Sequence, residues 1–352
     1  MRKIPIFLLL ILISLSFISI FSLHFTSINT LLVKKQLLYI LIGFITLYVM
    51  LLFDFRSLKY FIWTIYFTGI AALIAVVLIG KGAYGAQRWI SLKIFTIQPS
   101  EFEKIILILC LSYILSRDQS DIKKFILSTV SFLLPAFFIL QQPDLGTTIV
   151  ILIIYFTLLL FSLDLKYFFS IATFSVISIP FFFELLKPYQ RERLITFLNP
   201  QMDPLGSGYN VIQSIIAIGS GKISGKWFGS TQTSLHFVPV QYADFIFSAI
   251  GEMGGFIGAS ILLLLYIALL LFMIKAYKSV NNLFGKYIIV GIFIMFITQI
   301  FINIGMCIGI TPVTGIPLPF ISFGGSSTLV NFIAIGLVMN IYVYREDMNI
   351  SI

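Results

Sequence analysis

The chain has 352 residues, of which 59% are hydrophobic and 11% charged, with a formal net charge of +9 and a mean hydropathy of +1.05. Soluble domains carry about 25% charged residues, so this composition excludes a water-soluble globular protein and indicates an integral membrane protein. No basic run is long enough to grip nucleic acid, and the positive balance fits membrane orientation and contact with anionic lipid instead.

The start, Met1-Arg2-Lys3 and then an apolar run to Leu23, has the outline of a signal peptide. No A-x-A-like cleavage site follows and further apolar runs do, so it reads as a first membrane helix. A span needs roughly 20 mostly apolar residues, and about ten runs qualify: 5–23, 36–54, 59–80, 101–116, 125–142, 145–163, 166–187, 246–273, 286–309 and 324–344. They are continuous rather than alternating, which predicts helices and not a barrel. The predicted fold is an all-α integral membrane protein of about ten transmembrane helices. It forms one polytopic domain over 1–352, with a large extracytoplasmic loop at 188–245 between helices 7 and 8. Arg56, Arg117, Lys123, Lys124, Lys166, Lys275, Lys278 and Lys286 sit in short loops on the side of the termini. By the positive-inside rule both termini are cytoplasmic, and loops 81–100, 188–245 and 307–323 lie together outside.

Those outer segments carry the chemistry. In 81–101, Gly82, Gly85 and Pro99 mark turns, and Trp89 and Phe95 suit the membrane interface. Glu101 and Lys104 share a helical face and can pair, either as a snorkelling tether or as a buried pair that orients a site. Asp144 opens the span at 145–163, as a helix cap or as a carboxylate facing the outer cavity. The long loop begins with Arg191, Glu192 and Arg193, and residues 209–218 suit a short amphipathic helix. Gly219-Ser220-Gly221-Lys222 and Gly225-Lys226 are not a Walker A loop, since Ile223 stands where Ser or Thr belongs, yet glycines with lysines can approach a phosphate. Asp244 closes the loop as a cap or as a functional acid, and Glu252 lies about two turns deeper, a plausible catalytic or proton-handling pair. Residues 311–327 hold three prolines and three glycines in an apolar setting. Such backbone is tolerated at membrane depth only inside protein or beside a wet cavity. Ser326 and Ser327 would allow close approach of a substrate or a helix. Cys110 and Cys307 read as unpaired core thiols, and His24 and His236 make no metal motif.

Together these segments resemble the SEDS family (shape, elongation, division and sporulation). The matching pieces are GAQRWI at 85–90, QPSEFEK at 98–104, QPDLGT at 142–147, YQRERLITFLNP at 189–200, DPLGSGYNVIQSIIAIGSG at 203–221, ADFIF at 243–247 and PLPFISFGGSS at 317–327. They stand in family order from about residue 80 onward, and VTGIPLPF before SFGGSS is closest to the elongation branch.

The resemblance implies a peptidoglycan glycosyltransferase of the bacterial cytoplasmic membrane that polymerises lipid II into glycan strands for elongation and rod shape, releasing undecaprenyl diphosphate. It implies Asp244 as the catalytic residue and Glu101, Lys104 and Asp144 as cavity residues, with Glu252 supporting. Arg191, Arg193, Lys222 and Lys226 would neutralise the diphosphate, beside Ser326 and Ser327, and a divalent cation (Mg or Mn) could bridge it to a carboxylate. The implied partners are a class B penicillin-binding protein transpeptidase and an elongation complex with MreB, MreC and MreD. The chain departs from the family pattern at Glu103, a competing partner for Lys104, and at Ala243, Met253 and Phe323. Two other readings are a flippase for lipid-linked precursors and the division paralogue. A flippase would favour paired repeats with broken helices, and the sequence shows no clear repeat. A third, a scaffold for another polymerase, would leave the outer carboxylates dispensable.

Overall fold

The computed structural model describes residues 5–26, 30–83, 86–92, 95–170, 173, 188–198, 207–227 and 242–345. The membrane helices are α1 Ile6–Thr26, α2 Thr30–Leu52, α3 Leu58–Ile79, α4 Pro99–Ser116, α5 Asp121–Gln141 and α6 Leu145–Ser162. After them come α7 Pro188–Leu198 and α8 Ser207–Ser220, then α9 Ile246–Ser279, α10 Leu283–Cys307 and α11 Gly325–Val343. Eight helices among the described residues are long and apolar enough to cross a membrane, counting α3 with the short turn before it. The predicted span at 101–116 is α4, which carries Glu101, Glu103 and Lys104 in its first turns. The predicted span at 166–187 is helical at 166–170 and otherwise lies almost wholly outside the described residues.

α4 sits at the centre of the bundle, packed on α3, α5, α6, α10 and α11. That position explains how it carries charge at membrane depth: protein, not lipid, surrounds it. α10 and α11 are also largely enclosed, whereas α2 shows most of its surface to lipid. Small residues bring helices close, as where Gly43 of α2 lies under Phe332 of α11 and Gly291 of α10 under Ile108 of α4.

Two expectations need correction. Residues 81–97, read as turns, form a three-stranded antiparallel sheet of β1 Lys81–Ala83, β2 Ala86–Leu92 and β3 Phe95–Ile97, with Ser91 opposite Thr96. The β-favouring Trp89, Ile90 and Phe95 outweigh the glycines there. The long loop, for which only the short helix at 209–218 was expected, carries both α7 and α8, of which α8 extends the predicted helix at both ends. Residues 228–241 of that loop lie outside the described residues.

α9 is broken where Gly255 adopts φ 60° and ψ −156°, a region open essentially to glycine alone. The freed amides find new acceptors in the segment after α8: Phe256 donates to the carbonyl of Lys222 (2.9 Å) and Ile257 to that of Ile223 (3.1 Å). A side chain on Gly255 would stand 2.4 Å from the amide nitrogen of Gly225. We therefore expect Gly255→Ala to cost about 1–3 kcal/mol and to lower the detergent aggregation temperature by several degrees. Gly254→Ala, whose side chain meets nothing, should leave it unchanged. Equal behaviour of the two variants would mean that the break is not structurally required.

Candidate active site

The apolar segment after α10 makes a cradle of irregular backbone. Asn303 of α10 donates from Nδ2 to the carbonyls of Asp244 (3.0 Å) and Ile316 (2.8 Å). Ser322 Oγ donates to the carbonyl of Ala243 (2.6 Å) and receives the amide of Leu318 (2.8 Å). The amide of Phe323 donates to the carbonyl of Tyr242 (2.9 Å). Residues 242–245 are thereby fixed against 315–323. The N-cap of α9 is Phe245, without a side-chain bond, so the Asp244 carboxylate is not spent on capping. Its Oδ2 lies 3.6 Å from where a side chain on Gly315 would begin. Gly315, at φ 75°, lets the chain turn past the carboxylate without covering it.

Next to this cradle is a pocket lined by Arg88, Pro143, Leu145, Ile149, Gln190, Arg193, Pro312, Val313 and Thr314. Arg193, on α7, reaches across to the carbonyl of Val313 (3.3 Å). Arg88, on β2, donates from Nε to the carbonyl of Gln142 (3.3 Å) and from Nη2 to that of Pro143, and its Nη1 stands 3.9 Å from Asp144 Oδ1. Asp144 fills its expected capping role and is also held in a buried polar network. It caps α6 through the amide of Thr147 (3.2 Å), and its Oδ2 accepts from Thr147 Oγ1 (2.9 Å), Ser100 Oγ (3.1 Å) and Gln98 Nε2 (3.2 Å). The amide of Gln98 donates to Ser326 Oγ (2.9 Å), so Ser326 joins the same network. Ser327 bonds back to the carbonyl of Gly324 (3.1 Å).

Asp244 is half-buried as a residue, with its carboxylate enclosed by protein. Burial pushes its carboxyl above the ordinary range. Arg193 and then Arg88 oppose that rise, and the charge of Asp144 adds to it. An acid so placed holds a proton more readily than an exposed carboxylate, which suits a base, and the two guanidinium charges that oppose the rise can also attract an anion.

On α4, Lys104 Nζ and Glu101 Oε1 are 2.8 Å apart and nearly solvent-free. They form the buried pair, not the snorkelling one. Glu103 does not compete for Lys104: it packs on Gly69 of α3, where a side chain would stand 2.4 Å from Glu103 Oε2. Glu252 is not a second acid beside Asp244. It is fully buried and holds the segment after α8, with Lys226 Nζ at 3.4 Å, Ser220 Oγ at 3.5 Å and its own carbonyl taking the Lys226 amide at 3.0 Å. Lys226 is thus committed to Glu252 rather than to a diphosphate. Lys222 is exposed on that same segment and contributes its carbonyl to the break in α9. Arg191, two residues from Arg193 on α7, points to a different helical face. Arg88 and Asn303 escaped the sequence reading, although a charge in GAQRWI and a lone amide in an apolar span were visible signals.

These features define a multi-pass membrane protein with an acid–arginine cleft at one end of its bundle. The chain belongs to the FtsW/RodA/SpoVE family, described as cell cycle protein, which it matches over residues 2–347. It is 38% identical over 293 residues to the peptidoglycan glycosyltransferase MrdB of Escherichia coli K12, covering 82% of this chain and 79% of that protein. It is 33% identical over 383 aligned positions to the peptidoglycan glycosyltransferase RodA of Treponema pallidum, covering 87% and 88%. It also superposes with a TM-score of 0.84, at 25% identity, on a chain from a peptidoglycan synthase complex described as coordinating polymerization and crosslinking, covering 98% and 99%.

Removing one partner of a buried ion pair strands the other charge, at about 3–5 kcal/mol. Lys104→Met should therefore abolish monodisperse protein in size-exclusion chromatography, and Glu101→Gln/Lys104→Met should recover it. A monodisperse single variant would contradict a structural role for the pair.

Proposed function

We propose that this chain is a peptidoglycan glycosyltransferase that joins lipid II units into glycan strands for elongation of the cell wall. The observation that carries the chemistry is one enclosed carboxylate, Asp244, flanked by two arginines at the cleft. An acceptor sugar hydroxyl is a poor nucleophile and needs a base. In our reading Asp244 takes its proton as the oxygen attacks the anomeric carbon of the donor. The bond from that carbon to the lipid diphosphate breaks, and undecaprenyl diphosphate leaves with the electron pair. One displacement inverts the anomeric centre. Base assistance of this kind contributes roughly 10²–10⁴-fold. The positive charges of Arg193 and Arg88 would screen the leaving diphosphate.

A divalent cation, Mg or Mn, would be held by Asp244 together with diphosphate oxygens. Asp144 Oδ2 is already taken by three donors. Among the described residues no group of three or more His, Cys, Asp or Glu converges. This donor set suits a cation carried in with the substrate, and bound there it would screen the diphosphate.

The similar chain in a synthase complex supports a class B penicillin-binding protein as the crosslinking partner. MreB, MreC and MreD would complete the elongation assembly. The relatives named MrdB and RodA favour elongation over division. The setting that follows is the bacterial cytoplasmic membrane, with both termini in the cytoplasm and the cleft outside. A flippase would place its polar site near the bilayer midplane between repeats, whereas these groups gather at one end of the bundle.

The test is polymerisation of fluorescent lipid II by the purified protein with its transpeptidase. Glycan ladders are expected from wild type and none from Asp244→Ala. Ladders from both would move the base elsewhere, and their absence from both with lipid II flipping intact would favour transport.

A further inference from the structure

The opposite end of the bundle carries a polar cleft that glycosyl transfer does not use. α3 runs from this end toward the sheet and α4 returns from it, so the cleft is separated from Asp244 by the length of these helices. It is lined by Asp54, Arg56 and Ser57 in the turn between α2 and α3, by Lys59 and Tyr60 at the start of α3, and by Tyr113 near the end of α4.

The charges divide into two groups. Arg56 is committed to Asp54, with Nη2 at 2.6 Å and Nε at 2.8 Å from Oδ2, so this pair adds no net charge. Lys59, in the lining, and Arg117, which stands outside it against the ring of the lining Tyr113, carry two positive charges that the described carboxylates do not pair. Both are steadied by aromatic rings: the Lys59 ammonium lies 5.1 Å from the ring centre of Phe284, and the Arg117 guanidinium 5.4 Å from that of Tyr113. The acid nearest in sequence, Asp118, is exposed beside Arg117.

The surroundings are those of a membrane interface. Tyr60 at the rim is 87% exposed, and beside it stand Leu52, Phe53 and Phe61, each more than half exposed. Apolar side chains this exposed at the end of a span belong against acyl chains, and tyrosine favours the headgroup level. Two fixed cations lie where that apolar belt stops, and basic pockets at the ends of membrane helices suit anionic headgroups. We propose that this cleft binds the headgroup of an anionic phospholipid. The phosphodiester would lie between Lys59 and Arg117, the tyrosine hydroxyls at the glycerol level, and the acyl chains along Phe53 and Phe61. A free phosphate would use the cations but not the adjoining apolar surface, which is why the lipid is the better occupant.

The test is native mass spectrometry of the full chain in detergent, titrated with phosphatidylglycerol or with phosphatidylcholine of the same acyl chains. Preferential retention of phosphatidylglycerol is expected. Lys59→Met and Arg117→Gln, which keep most of the aliphatic stems, should each weaken retention roughly fivefold. Lys275→Ala/Lys278→Ala, which removes two exposed charges from the same end outside the cleft, should leave retention unchanged. If a cleft variant does not remain monodisperse, Lys59→Gln and Arg117→Met, which likewise remove one charge each, give the same readout. Equal retention of both lipids would overturn the proposal, as would equal loss in the Lys275/Lys278 variant. Displacement by inorganic phosphate as effective as by phosphatidylglycerol would identify a phosphate site instead and also overturn it.

Discussion

Backbone that leaves the helix at membrane depth must find partners for its peptide groups, because lipid offers none. Most of this protein's unusual polar residues serve that constraint around residues 315–324. Ser19 donates to the carbonyl of Ile321, Gln36 to that of Ser322, and Tyr266 to that of Pro319. Gln36 also receives the amide of Gly324 and bonds Ser19 and Thr328. Asn303 and Ser322 tie the same segment to Ala243 and Asp244. The functional carboxylate is positioned by this arrangement: α1, α2, α9 and α10 all contribute to the segment against which Asp244 lies. An unmet peptide group here costs several kcal/mol, so the polar side chains are a structural requirement before they are a catalytic one.

The second requirement is charge balance. Asp144 and Asp244 would repel if both were left alone in a low-dielectric cleft. Arg88 sits against Asp144 and the carbonyls before it, and Arg193 reaches in from α7. Asp144 is quieted by four hydrogen bonds, whereas the Asp244 carboxylate receives its support from charge rather than from close donors. That asymmetry separates a positioning acid from a reactive one. The Glu101–Lys104 pair beneath them lets α4, the hub of the bundle, begin among polar groups and end among apolar ones.

Much of this was legible in the sequence, and what was not has physical reasons. Span positions follow from the length and continuity of apolar runs, so α1 to α6 and α9 to α11 stand close to their expected places. Asp144, Ser326, Arg193 and the Glu101–Lys104 pair were legible from short motifs. The sheet at 81–97 was hidden because Gly82 and Gly85 imitate a plain turn. α7 was hidden because Arg191, Glu192 and Arg193 in succession imitate a solvated loop. Glu252 was misplaced because helical periodicity was counted from Asp244, which lies in the turn before α9 begins at Ile246, and because the segment after α8 closes over the acid. Arg88, Gln36 and Asn303 act on carbonyls far away in sequence, and single-chain spacing cannot supply such partners.

The central claim is that Asp244 acts as a base whose proton affinity is raised by burial and held in check by Arg193 and Arg88. A base works when deprotonated, so activity persists above its pKa and is lost as pH falls through it. Removing a cation that lowers this pKa must move the loss to higher pH. The decisive measurement is the pH dependence of kcat/KM for lipid II polymerisation in wild type and Arg193→Gln. The account predicts that the acid limb shifts to higher pH in the variant, whatever happens to the plateau rate. An acid limb that stays in place or moves to lower pH would contradict it.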